Sequence, residues 1–105
     1  MGQFIYGGAA ASAYTIDDRM LAHLEVAIAT KFRRGESFHF TIRGRDLPSG
    51  DGSREFWMHP AIWMEFRIDD PTVTRPLNPA WIAAMVAAAS TDRGLGLLRE
   101  PPRVS

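Results

Sequence analysis

The sequence predicts an α+β fold: two layers, a mostly antiparallel sheet with two helices on one face, in the order β-β-α-β-β-β-α-β. Three observations carry this. Residues 17–34 repeat apolar side chains at helical spacing, and residues 37–43 alternate them at strand spacing. Glycine, proline and aspartate clusters, rather than long crossovers, separate the later segments. A helix with one apolar stripe followed by a strand with one apolar face buries both by packing them together. At 105 residues the chain makes one domain. It is expected over residues 1–100, with 101–105 as a frayed tail.

Gln3–Tyr6 reads as a short strand, Gly7-Gly8 as a turn, and Ala10–Ile16 as an alanine-rich returning strand. In Asp17–Arg34, Leu21, Leu24, Ile28 and Phe32 share one helical stripe. Asp17 and Asp18 suit the positive end of that helix, one of them as N-cap; Lys31, Arg33 and Arg34 suit the negative end, and Gly35 the left-handed stop. In Ser37–Arg43, Phe38, Phe40 and Ile42 face one way and Ser37, His39, Thr41 and Arg43 the other. Gly44–Ser53 is a loop. Arg54–His59 and Ala61–Ile68 are strands divided by Pro60, and Asp69–Leu77 is a loop. Asn78 is a natural N-cap and Pro79 a natural first residue for a second helix, with Leu77 and Ile82 placed as a hydrophobic staple. That helix runs to about residue 91, Gly94 stops it, and Leu95–Arg99 is a candidate edge strand.

Composition narrows the function. Lysine plus arginine is 12 and aspartate plus glutamate is 12, so no bulk charge drives binding to nucleic acid or membrane. The chain has no cysteine, which excludes thiol catalysis, disulfides and cysteine-ligated zinc. The uncharged run 76–91 is too short to span a bilayer. There is no basic start followed by an apolar stretch, so the expected location is cytoplasmic and no membrane partner is expected.

The most suggestive surface is the second face of the sheet. If Phe38, Phe40, Ile42, Ile62, Met64 and Phe66 face the helices, the opposite side carries His39, Thr41, Arg43, Trp63, Glu65 and Arg67. Trp57 and His59 join it if Phe56 and Met58 point inward. Aromatic and arginine side chains on an open sheet stack and clamp single-stranded bases. A solvated face, or one covered in a homodimer, accounts for the same pattern and suits the neutral charge balance better. His39, His59 and Glu65 are the residue types of a two-histidine-one-carboxylate metal site, or of a small-molecule pocket, but nothing in their spacing brings them together. No metal and no cofactor is expected. His23 lies about 140° around the helix from the apolar stripe, at about 100° per residue, and is expected to be exposed and without a role. Ser37, Ser49 and Ser53 lack a nucleophile elbow, Gly50-Asp51-Gly52 lacks the lysine of a phosphate loop, and Asp69-Asp70 reads as a turn pair rather than a catalytic dyad. The second helix has no charge from Ala80 to Ala89. Ala83, Ala84, Ala87 and Ala88 make a smooth surface that permits close approach by a partner, although alanine is also the best helix former.

Several stretches combine into a family resemblance: Met1-Gly2-Gln3-Phe4-Ile5-Tyr6-Gly7, Asp17–Leu24, Arg33–Phe38, Gly50-Asp51-Gly52, His59-Pro60, Leu77-Asn78-Pro79-Ala80-Trp81-Ile82 and Glu100-Pro101-Pro102. Over nearly its whole length the chain resembles a family of small, uncharacterised proteins of high-GC Gram-positive bacteria. Members of that family often carry the automatic label "ATP-dependent DNA ligase". The second helix is more alanine-rich than the family pattern and the loop before Gly50 is longer. The residues argue against the label. An adenylating ligase uses a Lys-x-Asp-Gly-x-Arg motif; Asp51-Gly52-Ser53-Arg54 matches its tail, but Ser49 stands where the nucleophilic lysine belongs. Lys31, the one lysine, is followed by Phe32-Arg33-Arg34-Gly35. The expected function is therefore a non-enzymatic protein-interaction module, self-associating or docking to a larger protein. The alternative is an accessory nucleic-acid-binding domain using the Trp/Arg/His face.

Overall fold

A computed structural model describes residues 1–8 and 12–102. Its elements are β1 (Gly2–Tyr6), β2 (Ser12–Ile16), α1 (Asp18–Arg33), β3 (Phe38–Arg43), β4 (Ser53–Met58), β5 (Met64–Arg67) and α2 (Pro79–Ala89). The α+β class and the element order are those the sequence predicts, and the three strand pairings are antiparallel. The expected start of the second strand at Ala10 lies outside the described residues.

The strands divide between two sheets, β2-β1-β5 and β3-β4. In the first, Phe4 sits opposite Tyr14 on one side and Phe66 on the other. In the second, Phe40 faces Phe56 and His39 faces Trp57. The free edge of β3 is taken by Leu95, whose N–H donates to the His39 carbonyl at 2.8 Å and whose carbonyl accepts from Thr41 N–H at 2.9 Å. The segment expected as a final edge strand thus narrows to one parallel bridge. Gly94 makes it feasible. Its φ is +74°, and a Cβ there would fall on the His39 carbonyl.

Aromatic rings tie the two sheets into one core. Phe4 of β1 meets Phe40 of β3 edge-on at 5.5 Å and Phe56 of β4 edge-on at 5.6 Å, while Phe40 stacks on Phe56 at 5.7 Å. Such offset and perpendicular pairs add about 0.5–1.5 kcal/mol each beyond the area they bury. The Tyr6 hydroxyl donates to the Trp57 carbonyl and links β1 to β4 as well.

Helix α1 begins where the Asp17 carboxylate accepts from Met20 N–H at 3.1 Å, and it ends at Gly35, with φ +70°. Leu21, Leu24 and Ile28 are buried as its stripe requires. A second row, His23, Ala27 and Lys31 at four-residue spacing, is buried too. It faces α2: His23 packs on Trp81 at 4.5 Å between ring centres, and Lys31 Nζ donates to Ser90 Oγ at 2.9 Å. This corrects the expectation that His23 is exposed. The angle from the main stripe is as the helical wheel gives it, but α1 is covered from two directions. Asp18 is also buried. Burial pushes its carboxyl upward, but N–H donors from Asp69 and Asp70 together with the Met1 ammonium outweigh this and hold it below the usual carboxylate range.

Candidate functional site

The outer face of β3-β4 carries His39, Thr41, Arg43, Glu55 and Trp57, because Phe38, Phe40, Ile42, Phe56 and Met58 turn inward. His39 and Trp57 are direct cross-strand partners, and His39 Nε2 lies 3.4 Å from Glu55 Oε1. Trp57 is 64% exposed. The remaining members of the expected face are elsewhere. Glu65 and Arg67 are on β5, in the other sheet, paired with each other at 2.9 Å. Trp63 precedes β5 and is exposed, and its carbonyl accepts from Gly7 N–H. His59 is in the turn between β4 and β5, where its Nδ1 accepts from Ala61 N–H at 3.0 Å. The eight residues are therefore two separate surfaces, because the strands that bear them belong to different sheets. His39, His59 and Glu65 do not converge, and among the described residues no group of three or more His, Asp or Glu is placed to hold a metal ion.

A second surface lies along α2. Ala83, Ala84 and Ala87 are exposed, while Ala88 is half-buried against the core. Ala83 and Ala87, with Leu77, Ile82 and Val86, line an open groove of about 640 Å³ that runs against Thr30 and Arg34 of the α1 end. Helix propensity alone explains alanines at such positions. It does not explain the half-exposed isoleucine and valine beside them.

A separate cluster of hydrogen bonds ties Arg19, Asn78 and Glu100 together into a clasp. Arg19 grips Glu100 with two hydrogen bonds of 2.8 Å. Asn78 Nδ2 donates to Glu100 at 3.0 Å and to the Pro101 carbonyl at 3.1 Å, while Asn78 Oδ1 accepts from Ala80 and Trp81 N–H at the start of α2. Trp81 Nε1 donates to the Leu98 carbonyl at 3.0 Å. Asn78 N–H donates to His23 Nε2 and His23 Nδ1 lies 2.8 Å from the Arg19 carbonyl, so the ring is neutral with its proton on Nδ1. The anchored chain thus reaches Pro101, one residue into the segment expected to fray; residues 103–105 lie outside the described set.

The clasp residues fall in three of the seven stretches that carry the family resemblance: Asp17–Leu24, Leu77–Ile82 and Glu100–Pro102. A family model described as a domain of unknown function, DUF7882, matches residues 1–100. The chain belongs to the DUF7882 family. No curated protein and no solved structure matches it. No helix among the described residues of this DUF7882 chain is long and apolar enough to cross a membrane.

The clasp gives the DUF7882 domain a measurable acid response. Bonds from Arg19 and then Asn78 hold the Glu100 carboxyl down at about 2, against an ordinary 4.5. Because the folded value is the lower one, the stabilisation is complete above about pH 4.5 and is lost as the pH falls toward 2. Glu100→Gln is expected to lower stability by about 1 kcal/mol at neutral pH, after allowance for solvent screening. Urea midpoints taken across that range should show the gap between the two proteins closing with acid.

Proposed function

We propose that the protein is a non-enzymatic interaction module that self-associates through α2. One observation carries the reading: α2 has no charged side chain from Pro79 to Ala89, and its solvent side opens onto an apolar groove instead of a polar surface. A second copy is the partner that suits it. In a two-fold contact the same patch meets itself. An uncharged, alanine-smoothed helix does this without like-charge repulsion and with close backbone approach, and Arg34 is the one charged group on the groove wall.

Sedimentation velocity over a range of concentrations is expected to show a reversible dimer. Ala83→Glu with Ala87→Glu keeps helix propensity but buries four like charges in the dimer. It should raise the dimer dissociation constant by at least about 100-fold. A monomer at every concentration, or a dimer indifferent to the double substitution, would count against the reading.

Ligase chemistry is no part of it. Lys31 is 4% exposed, with Nζ bonded to Ser90 and to Glu36 at 3.0 Å, a poor state for a nucleophile. The expected result of incubation with radiolabelled ATP is no covalent AMP on the protein.

A further inference from the structure

Beside β3, opposite its pairing with β4, the chain from Arg93 to Leu98 runs alongside the sheet. Leu95 turns its side chain into the core and is 1% exposed. Its neighbours Gly94 and Gly96 have no side chain to place on the outer face. The floor next to Thr41 is therefore bare backbone, and a groove of about 190 Å³ opens there. Among the described residues, Arg43, Arg45 and Arg93 line it, with Asp46 as the single acid. Arg45 approaches Asp46 only at 3.8 Å. Arg43 and Arg93 are exposed and make no ion pair with any described residue. In a chain of formal net charge +0, three arginines against one aspartate are a local concentration of positive charge.

The same face ends in an aromatic platform. Trp57 stands across from His39, four residues before Arg43, which is roughly 13 Å at about 3.3 Å per strand residue. Glu55, the carboxylate between them, is engaged with His39 at 3.4 Å. An exposed indole across from His39 and the guanidinium groups lining the adjacent groove fit alternating bases and phosphates: the base stacks, and the fork of an arginine grips phosphate oxygens. From this juxtaposition we infer that the outer face of β3-β4, with the Arg93–Leu98 segment, binds a single-stranded phosphodiester, with Arg43, Arg45 and Arg93 on phosphates and Trp57 under a base. The inference is independent of self-association through α2. Trp63, just before β5, and Arg67, on β5 of the other sheet, which the sequence suggests for such a role, have no part in it.

Fluorescence anisotropy with labelled single-stranded oligodeoxyuridylate and oligouridylate tests this. For about three phosphates neutralised at a slope near −0.7 each, affinity should fall roughly 20-fold between about 50 and 200 mM salt. Arg43→Ala with Arg93→Ala changes two exposed side chains and should reduce that fall to about 3-fold, with binding at low salt strongly weakened. Bound strand should also quench tryptophan emission, and Trp57→Phe should abolish the quenching while leaving most of the affinity. Preference for one of the two strands would identify RNA or DNA as the source of the phosphodiester. No binding at low salt would overturn the inference. So would binding unchanged in the double arginine variant, or inorganic polyphosphate competing equally while the strand leaves Trp57 unquenched.

Discussion

Asn78→Ala is expected to lower stability by about 2–4 kcal/mol. Asn78 is 1% exposed and works in both directions. Its Oδ1 caps α2, and such a cap alone is worth about 0.5–2 kcal/mol. Its Nδ2 serves Glu100 and the Pro101 carbonyl, which lose a donor when the amide is removed. Asn78→Asp separates the two contributions. It keeps the capping oxygen but sets a carboxylate against Glu100, so it too should destabilise, and should recover as acid protonates the pair. Chemical denaturation of the three proteins at neutral pH and near pH 3 reads all of this. An Asn78→Ala protein within about 0.5 kcal/mol of the parent would mean that the clasp adds nothing to stability.

Phe40→Ala is expected to cost about 3–5 kcal/mol. Phe40 is 0% exposed and touches both Phe4 and Phe56, so its removal empties the junction between the two sheets. The informative comparison is with Phe4→Ala, on β1 of the other sheet, and the double variant. If the rings form one core, the second truncation should cost clearly less after the first than alone, a coupling of about 0.5–3 kcal/mol. Additive losses would mean that β3-β4 is stabilised separately from β2-β1-β5.

Local physics was legible in the sequence, and long-range partnership was not. The ends of α1 at Asp17 and Gly35, the Asn78-Pro79 start of α2 and the inward turn of Phe38, Phe40 and Ile42 each depend on residues close in sequence. The split into two sheets depends on which strand edges meet. Alternation assigns a strand its two faces but not its neighbours, so Trp63 and Arg67 seemed to share a face with His39 when they do not. His23 and Lys31 were missed for a related reason. A polar residue off the main stripe reads as solvated unless a second element covers it. The available signal was the matching four-residue rows, His23-Ala27-Lys31 on α1 and Trp81-Met85-Ala89 on α2. The arginine groove left almost no trace, because Arg45 lies in a short 3-10 turn and Arg93 in an irregular segment, and Gly94 and Gly96 contribute to it only by having no side chain.

The Arg19–Glu100 clasp joins residues 81 positions apart. Helix α1 is therefore made early in synthesis but cannot complete its own contacts until Glu100 has left the ribosome. The partners of the His23-Ala27-Lys31 row on α2, and Leu95 at the edge of β3, also come late, shortly ahead of Glu100. Contacts of such high sequence separation form late and slowly. A nascent chain halted before Glu100 should thus be open to proteases, and protection should arrive in one step once the last of these residues emerges.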